Sequence, residues 1–346
     1  MSNEIEEKNT KKNDSGIFVF VEQLEGKLAP VSLELIGKAT ELASDLGCSV
    51  STFLIGDNVS HIVPTLFHYG SDKVYIIDSP EYHYYRVEPY NLASCYLVEK
   101  YKPEILLIGA TTTGRDLAGA MATTLKTGLT ADCTILEIDM EKKILLASRP
   151  AFGGNIMATI VCLNHRPQMA TVRPRVMKMP QIDTSRTGIE IKESIPIDEK
   201  SLKTIVLEIV KETGSNVKIE DAKIIVSGGR GVQSPENFKL ISELADVLGG
   251  VVGGSRGAVE KSLVDYAHQV GQTGKTVSPN IYFAIGISGA VQHTVGMTGS
   301  ETIVAINTDP ECNMMKLATY GIVGDATVVL PKLIEEFKKV LKSVNI

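Results

Sequence analysis

The sequence predicts an α/β protein of two doubly wound domains, and three observations carry that expectation. Short apolar, β-branched runs alternate with segments of helical spacing. Glycines gather where those runs end. The pattern breaks once, before residue 200, and then starts again, in a chain of 346 residues that is comfortable for two domains.

"GIFVFVEQ" (16–23) has the look of a buried strand. "PVSLELIGKATELASDLG" (30–47) sets Leu33, Ile36, Leu42 and Leu46 near one helix face, and Gly47 suits the helix end. "CSVSTFLIG" (48–56) and "KVYIIDS" (73–79) read as strands, "NLASCYLVEKYKP" (91–103) as a helix stopped by Pro103, and "EILLIGAT" (104–111) as another buried strand. This alternation indicates a mostly parallel sheet covered by helices. "ILLASRPAFGGNIMATIVCLN" and "QMATVRP" look like antiparallel additions at one edge, and "RPRVMKMPQIDTSRTG" (173–188) has no regular period.

The pattern restarts at "AKIIVSGGRGV" (222–232), a strand and glycine turn, followed by the helix "ENFKLISELADVLGG" (236–250). "VVGGSRGAVEKSLV", "NIYFAIGISGAVQH" and "TIVAINTD" repeat the theme, and "DATVVLPKLIEEFKKVLKSV" reads as a strand and then an amphipathic helix. The expected organisation is a disordered polar tail over 1–15, one α/β domain over 16–200 and a second over 205–346.

Composition narrows the function. Hydrophobic residues make up 43% and charged residues 22%, the net charge is -6, and no Lys or Arg run exceeds a pair. Nucleic-acid backbones and anionic membranes are therefore poor partners. No apolar stretch of about 18 residues is present to span a membrane. The N-terminal segment has neither an apolar core nor the Arg-rich, acid-poor pattern of a transit peptide, so a bacterial cytoplasmic location is expected. Cys48, Cys95, Cys133, Cys162 and Cys312 are scattered without a C-x-x-C pair, which points to reduced thiols and no metal.

Glycines cluster at strand ends in the second domain: Gly228, Gly229 and Gly231, then Gly253, Gly254 and Gly257, then Gly286 and Gly289. Such turns let backbone N–H groups approach phosphate, and a helix starting there adds its positive end. The nucleotide fingerprints nonetheless fail. "GGRGVQS" has Ser234 where a glycine is needed, "QVGQTGKT" has Gln269 where the first P-loop glycine belongs, and "GATTTGRD" lacks the Lys and hydroxyl. "GGSRG" (253–257) satisfies G-x-S-x-G, and with Asp265 and His293 downstream it leaves a serine hydrolase built on Ser255 as a remote alternative. Arg230 and Arg256 lie inside glycine turns, where a planar cation can pair with pyrophosphate or cover an aromatic ring. Gln272, Thr273, Gln292 and His293 add hydrogen-bonding groups. On the residues alone, the reading stops at a nucleotide-like cofactor in the second domain.

"VSGGRGV", "GGSRGAV", "QVGQTGKTVSPNIYFAIGISGAVQHTVGM", "TIVAINTDP" and "YGIVGD" occur in an order and spacing that closely resembles the alpha subunit of electron-transfer flavoprotein. "GIFVFVEQ", "EILLIGAT" and "TGLTADCT" extend the resemblance through the first domain. It implies a Rossmann- or flavodoxin-like C-terminal domain that binds FAD, an N-terminal domain contacting a beta subunit, and a heterodimer. Electrons would pass between flavin dehydrogenases, such as an acyl-CoA dehydrogenase, and an acceptor. A variant is the alpha subunit of an NADH-oxidising, electron-bifurcating complex with a second FAD in the beta subunit.

Carried over position by position, the resemblance implies that Arg230 contacts the cofactor and that Ser255 binds it, with Arg256 over the isoalloxazine. Val270, Gly271, Gln272 and Thr273 would run along the flavin edge, Thr273 toward N5. Ser288, Gly289, Ala290, Val291, Gln292 and His293 would cradle ribityl and pyrophosphate, with His293 facing the pyrimidine carbonyl. Asn307 and Asp325 would lie toward the adenosine end. Donors and positive charge there would favour the one-electron-reduced flavin, each contact contributing about 1.5–3 kcal/mol. Whether His293 is charged or merely donates is open at this point.

Overall fold

A computed structural model of the chain describes residues 16–151, 156–209 and 219–344. The polar tail 1–15 lies outside the described residues. Two compact units are present, 16–209 and 219–344 within that range.

In the first unit, β1 (Ile17–Val21) leads through a small hairpin, β2 (Gln23–Leu24) and β3 (Lys27–Leu28), into α1 (Pro30–Leu46). Pro30 starts this helix and Gly47, at φ 69°, ends it in the left-handed conformation. There follow β4 (Val50–Gly56), α2 (Val63–Tyr69), β5 (Lys73–Asp78), α3 (Val87–Tyr101), β6 (Ile105–Gly109), α4 (Thr112–Leu125) and β7 (Leu129–Cys133). Next are β8 (Ile135–Asp139), β9 (Ile144–Ala151), β10 (Ile156–Ile160), β11 (Gln168–Val172) and β12 (Ile189–Lys192). α3 begins four residues earlier than the sequence suggested, and Lys102 ends it in the left-handed region just before Pro103.

Seven strands form one parallel sheet in the order β12-β5-β4-β1-β6-β11-β7. Their alternate residues feed two cores: Val19, Leu54 and Leu107 on one face, Phe18, Phe53 and Tyr75 on the other. The expectation of antiparallel additions at the edge is half wrong. β8, β9 and β10 form a separate antiparallel sheet, whereas "QMATV" is β11, an inner strand parallel to both β6 and β7. All five of its residues are buried, the mark of a strand covered on both faces; sequence proximity to the meander hid it.

The second unit runs β13 (Ile224–Gly228), α5 (Pro235–Leu248), β14 (Val251–Gly254), α6 (Arg256–Val259), β15 (Ile281–Ile285), α7 (Val291–Thr294), β16 (Thr302–Asn307), α8 (Asn313–Leu317), β17 (Tyr320–Val323) and α9 (Ala326–Val344). The sheet order is β14-β13-β15-β16-β17, parallel throughout. Ser234 caps α5 by accepting from Asn237 N–H, and Pro235 occupies its first turn. The strand expected within "DATVVLP" is absent, because α9 starts there. Asp325 Oδ1 accepts from the Thr327 N–H (2.8 Å) and hydroxyl (2.7 Å), starting a helix, while Leu330 and Ile334 join a core with Phe238 and Phe283. A short apolar run alone could not distinguish the two.

Candidate cofactor site

From β13 the chain turns one way to β14, and β15 begins the other half of the sheet. The carboxyl ends of β13 and β15 therefore form a topological switch point, where open α/β sheets take ligands. The turn after β13 is clamped to the turn after β15: Gly229 N–H donates to Ile285 C=O (2.8 Å) and Gly231 N–H to Gly286 C=O (3.1 Å). A Cβ on Gly229 would stand 2.2 Å from the Gly286 oxygen, so this backbone approach requires glycine. Arg230 sits between, exposed, its stem along Gly257 and its guanidinium without a partner among the described residues.

The end of β14 is joined to this turn by Ser255 N–H to Gly228 C=O (3.0 Å). Ser255 precedes α6 with no side-chain capping bond, and Arg256 is exposed and paired with Glu260 (2.8 Å). Next comes the 269–275 loop. Gln272 N–H donates to Gln292 C=O (2.7 Å), and Gly271, at φ 142°, passes so close that a Cβ would lie 2.7 Å from the Gln292 oxygen. Val270 is buried, its N–H on Gly254 C=O (2.9 Å). Thr273 is held twice: Tyr266 OH donates to its carbonyl (2.6 Å) and buried Gln269 Nε2 to its hydroxyl oxygen (3.0 Å). With the oxygen so occupied, the Thr273 hydroxyl hydrogen is left to donate.

After β15, Ser288, Ala290, Val291 and Gln292 are exposed, while Gly289 and His293 are buried. His293 is 7% exposed; its Nε2 meets Tyr282 OH (3.0 Å), and Tyr282 OH donates to Ser227 Oγ (2.7 Å). Nδ1 is buried as well, and the ring has a backbone hydrogen bond to Val270. Burial pushes the ring's pKa down to about 4, against a weaker upward pull from the Val270 backbone. His293 is thus neutral at pH 7, which answers the question left by the sequence.

Asn307 and Asp325 lie at the carboxyl ends of β16 and beyond β17. Asn307 Nδ2 donates to Ile287 C=O (2.9 Å) and its Oδ1 accepts from Asp309 N–H (3.1 Å). Asp325 is the α9 cap, and the Thr327 hydroxyl followed by the Thr327 N–H holds its carboxyl below the usual range. All fifteen site residues named from the sequence therefore fall at one end of one sheet. The expected helix-end contribution is smaller than supposed, since α6 and α7 are single turns.

No hydrolase triad is assembled among the described residues. His293 bonds Tyr282, not Ser255 or Asp265, and no carboxylate orients it. Ser227, Tyr282 and Gln269 were missed by sequence reasoning. Their signal was faint: a serine and a tyrosine inside apolar strand runs.

A nucleotide-type group fits these residues. Glycines bring the turns together at the switch point, and the exposed Arg230 there has no partner among the described residues. The fold and site define a two-unit α/β protein with a nucleotide-type cofactor mouth in its second unit. The electron transfer flavoprotein domain family matches residues 17–195, and the electron transfer flavoprotein FAD-binding domain family matches 218–298. The chain is 53% identical to electron transfer flavoprotein subunit alpha of Thermoanaerobacterium thermosaccharolyticum, over 93% of this chain and 98% of that one. It is 50% identical to the subunit of the same name from Megasphaera elsdenii (94% and 96% covered). To the acryloyl-CoA reductase electron transfer subunit beta of Anaerotignum propionicum it is 42% identical (93% and 95% covered). The chain belongs to the electron transfer flavoprotein alpha-subunit family, whose cofactor is FAD and whose members work with a beta subunit. Among the described residues no helix is long and apolar enough to cross a membrane.

Proposed function

We propose that FAD lies across the β13/β15 switch point and that the fifteen residues named above hold it there. The observation carrying this reading is the convergence of the Arg230 turn, the 270–273 loop and the 288–293 segment on one mouth. FAD supplies the redox chemistry, taking up and returning electrons one or two at a time. Arg230 offers charge to phosphate, Ser255 a hydroxyl, and Arg256 a planar cation that can leave Glu260 for a ring face. Thr273 presents an oriented donor. Gly271 and Gly289 let the backbone close in, and Val270 keeps the floor dry. Asn307 and Asp325 shape the far end chiefly by holding their turns.

The partner is a flavin dehydrogenase of the acyl-CoA dehydrogenase type, and the setting is a bacterial cytoplasm. The relative named for acryloyl-CoA reductase supports an acyl-CoA partner. That name is also compatible with a second reading, in which NADH is oxidised at another FAD in the beta subunit. Stepwise photoreduction of the purified heterodimer, with FAD counted per alpha chain, separates these. One FAD that accepts a first electron well before the second supports the simple carrier. Two FADs, one reduced by NADH, establish the bifurcating complex, and a colourless heterodimer overturns both.

A further inference from the structure

The 269–275 loop is held by a buried polar side chain that none of the glycine motifs marks. We propose that Gln269 is a positioning residue: its side-chain amide, donating to Thr273 Oγ1, turns the threonine hydroxyl hydrogen outward, so that the cofactor meets a donor already aimed. This rests on the reading that FAD occupies the switch point.

The loop is built to bring these two residues together. A single turn at Tyr266–His268 leads into it, and Gln269 N–H closes that turn on Tyr266 C=O (2.9 Å). The chain then folds back on itself: Lys275 N–H donates to Gln269 C=O (2.7 Å) and Gly271 N–H to Lys275 C=O (3.1 Å). Gly274 makes the return possible, since a Cβ there would lie 2.3 Å from the Gln269 carbonyl oxygen. Lys275 Nζ pairs with Glu220 (2.7 Å) and pins the returning strand. The result is a closed ring in which Thr273 is exposed and Gln269 is only 3% exposed.

Tyr266 OH fixes the Thr273 backbone through its carbonyl (2.6 Å), and Gln269 Nε2 reaches the hydroxyl oxygen (3.0 Å). A hydroxyl has one hydrogen and two lone pairs, and an amide nitrogen accepts nothing. With the Gln269 N–H on one lone pair, the Thr273 hydrogen must point away from the buried amide. The neighbouring Gln272 N–H is tied to Gln292 C=O (2.7 Å), which sets the threonine beside the 288–293 segment. A donor fixed in advance needs no reorientation when charge develops on its acceptor, whereas a freely turning hydroxyl does. An apolar residue could fill the same space without the cost of burying an amide, so what Gln269 adds is this bond.

The test uses the full chain co-expressed with its beta subunit. With FAD removed and glutamine side chains labelled with 15N, the Gln269 amide signal is identified by its loss in Gln269→Met. Thr273→Val removes the acceptor and should speed hydrogen exchange at that amide about tenfold, the scale of one hydrogen bond. Thr273→Ser keeps the acceptor and should leave exchange as in the wild type. An amide that ignores Thr273→Val would overturn the assignment, because its oxygen would then be the atom facing the threonine.

The second readout is the one-electron potential of bound FAD. Gln269→Met keeps the length of the side chain and should make uptake of the first electron about tenfold less favourable, or roughly 59 mV lower. In a Thr273→Val background the same substitution should change nothing further. No shift in the wild-type background would overturn the proposal. So would an equal shift in both, which would make Gln269 a packing group or a direct contact. A wild-type heterodimer without flavin would instead refute the cofactor reading, and with it the role toward FAD, while the exchange result would still report the amide contact.

Discussion

At the switch point of the first unit, between the carboxyl ends of β1 and β6, Thr111 donates its hydroxyl to Glu22 (2.5 Å) and caps α4 by accepting from Gly114 N–H (2.9 Å). One turn along α4, Asp116 takes the Tyr85 hydroxyl (2.9 Å), and Asp57, just past β4, pairs with His83 (2.8 Å). The switch point of the second unit is built differently. Its mouth presents glycine backbone, an exposed Arg230 with no partner among the described residues, and a buried histidine. Both units obey the rule that locates a crevice in an open parallel sheet. The side chains decide which crevice can take an anionic ligand. In the first unit they satisfy one another and leave carboxylates at the entrance; in the second an exposed arginine stands there with no partner among the described residues.

The largest expected difference between the units comes from paired glycine substitutions. Gly229→Ala drives a Cβ to 2.2 Å from the Gly286 oxygen, whereas Gly114→Ala drives one to 1.9 Å from the Gly109 oxygen. Overpacking of this kind costs about 1–3 kcal/mol of stability at either site. Only Gly229→Ala should also lower FAD per folded chain, by about tenfold or more, equivalent to roughly 1.4 kcal/mol. Equal flavin content in the two variants would erase the distinction between the mouths.

A pH effect is expected from one buried group of the second unit. His293 is held near 4 in the folded chain and titrates near its ordinary 6.5 when unfolded. Below pH 6.5 the unfolded chain binds a proton that the folded chain refuses, so stability is complete above 6.5 and falls as the pH drops toward 4. The loss amounts to about 3 kcal/mol. Urea titrations of the FAD-free chain at pH 7 and pH 4.5 should show it, and His293→Gln should remove that part of the slope. An unchanged slope would mean that the ring is charged or exposed.

Arg230→Ala should weaken FAD binding by about 1.5–3 kcal/mol, roughly ten- to a hundredfold in Kd, the scale of a hydrogen bond to a charged group. Its side chain has no partner to lose among the described residues, so the melting temperature of the FAD-free chain should stay put. A fall in that temperature without a change in Kd would assign Arg230 to the fold. The smallest effect is expected in the closed mouth: Thr111→Val should cost about 1 kcal/mol through loss of the α4 cap and leave flavin binding alone. Calorimetry and equilibrium dialysis on the same samples would check both halves.

Much of this was legible in the residues because each signal was local. β1 and β6 are continuous apolar runs, β4 and β5 are rich in apolar and β-branched residues, and α1 carries its own start and stop in Pro30 and Gly47. The glycine turns stood out because close backbone approach tolerates little else. What failed were the cases in which distant pairing overrides local pattern. "QMATV" became an inner parallel strand because β6 and β7 flank it, and "ATVVL" became helix because Asp325 and the core beneath Leu330 settle the choice.

The sequence by itself determined the fold class, the positions of the turns and the family, since periodicity, glycine and motif order are properties of residues in a row. Only the tertiary structure decided that His293 is buried and neutral, that Tyr282 lies between it and Ser227, and that the mouth of the first unit is closed. Ser227 and Tyr282 are 55 residues apart in the chain, and they meet only because β13 and β15 are register neighbours. Protonation states and hydrogen-bond partners depend on what surrounds a group in space, and no spacing along the chain encodes that.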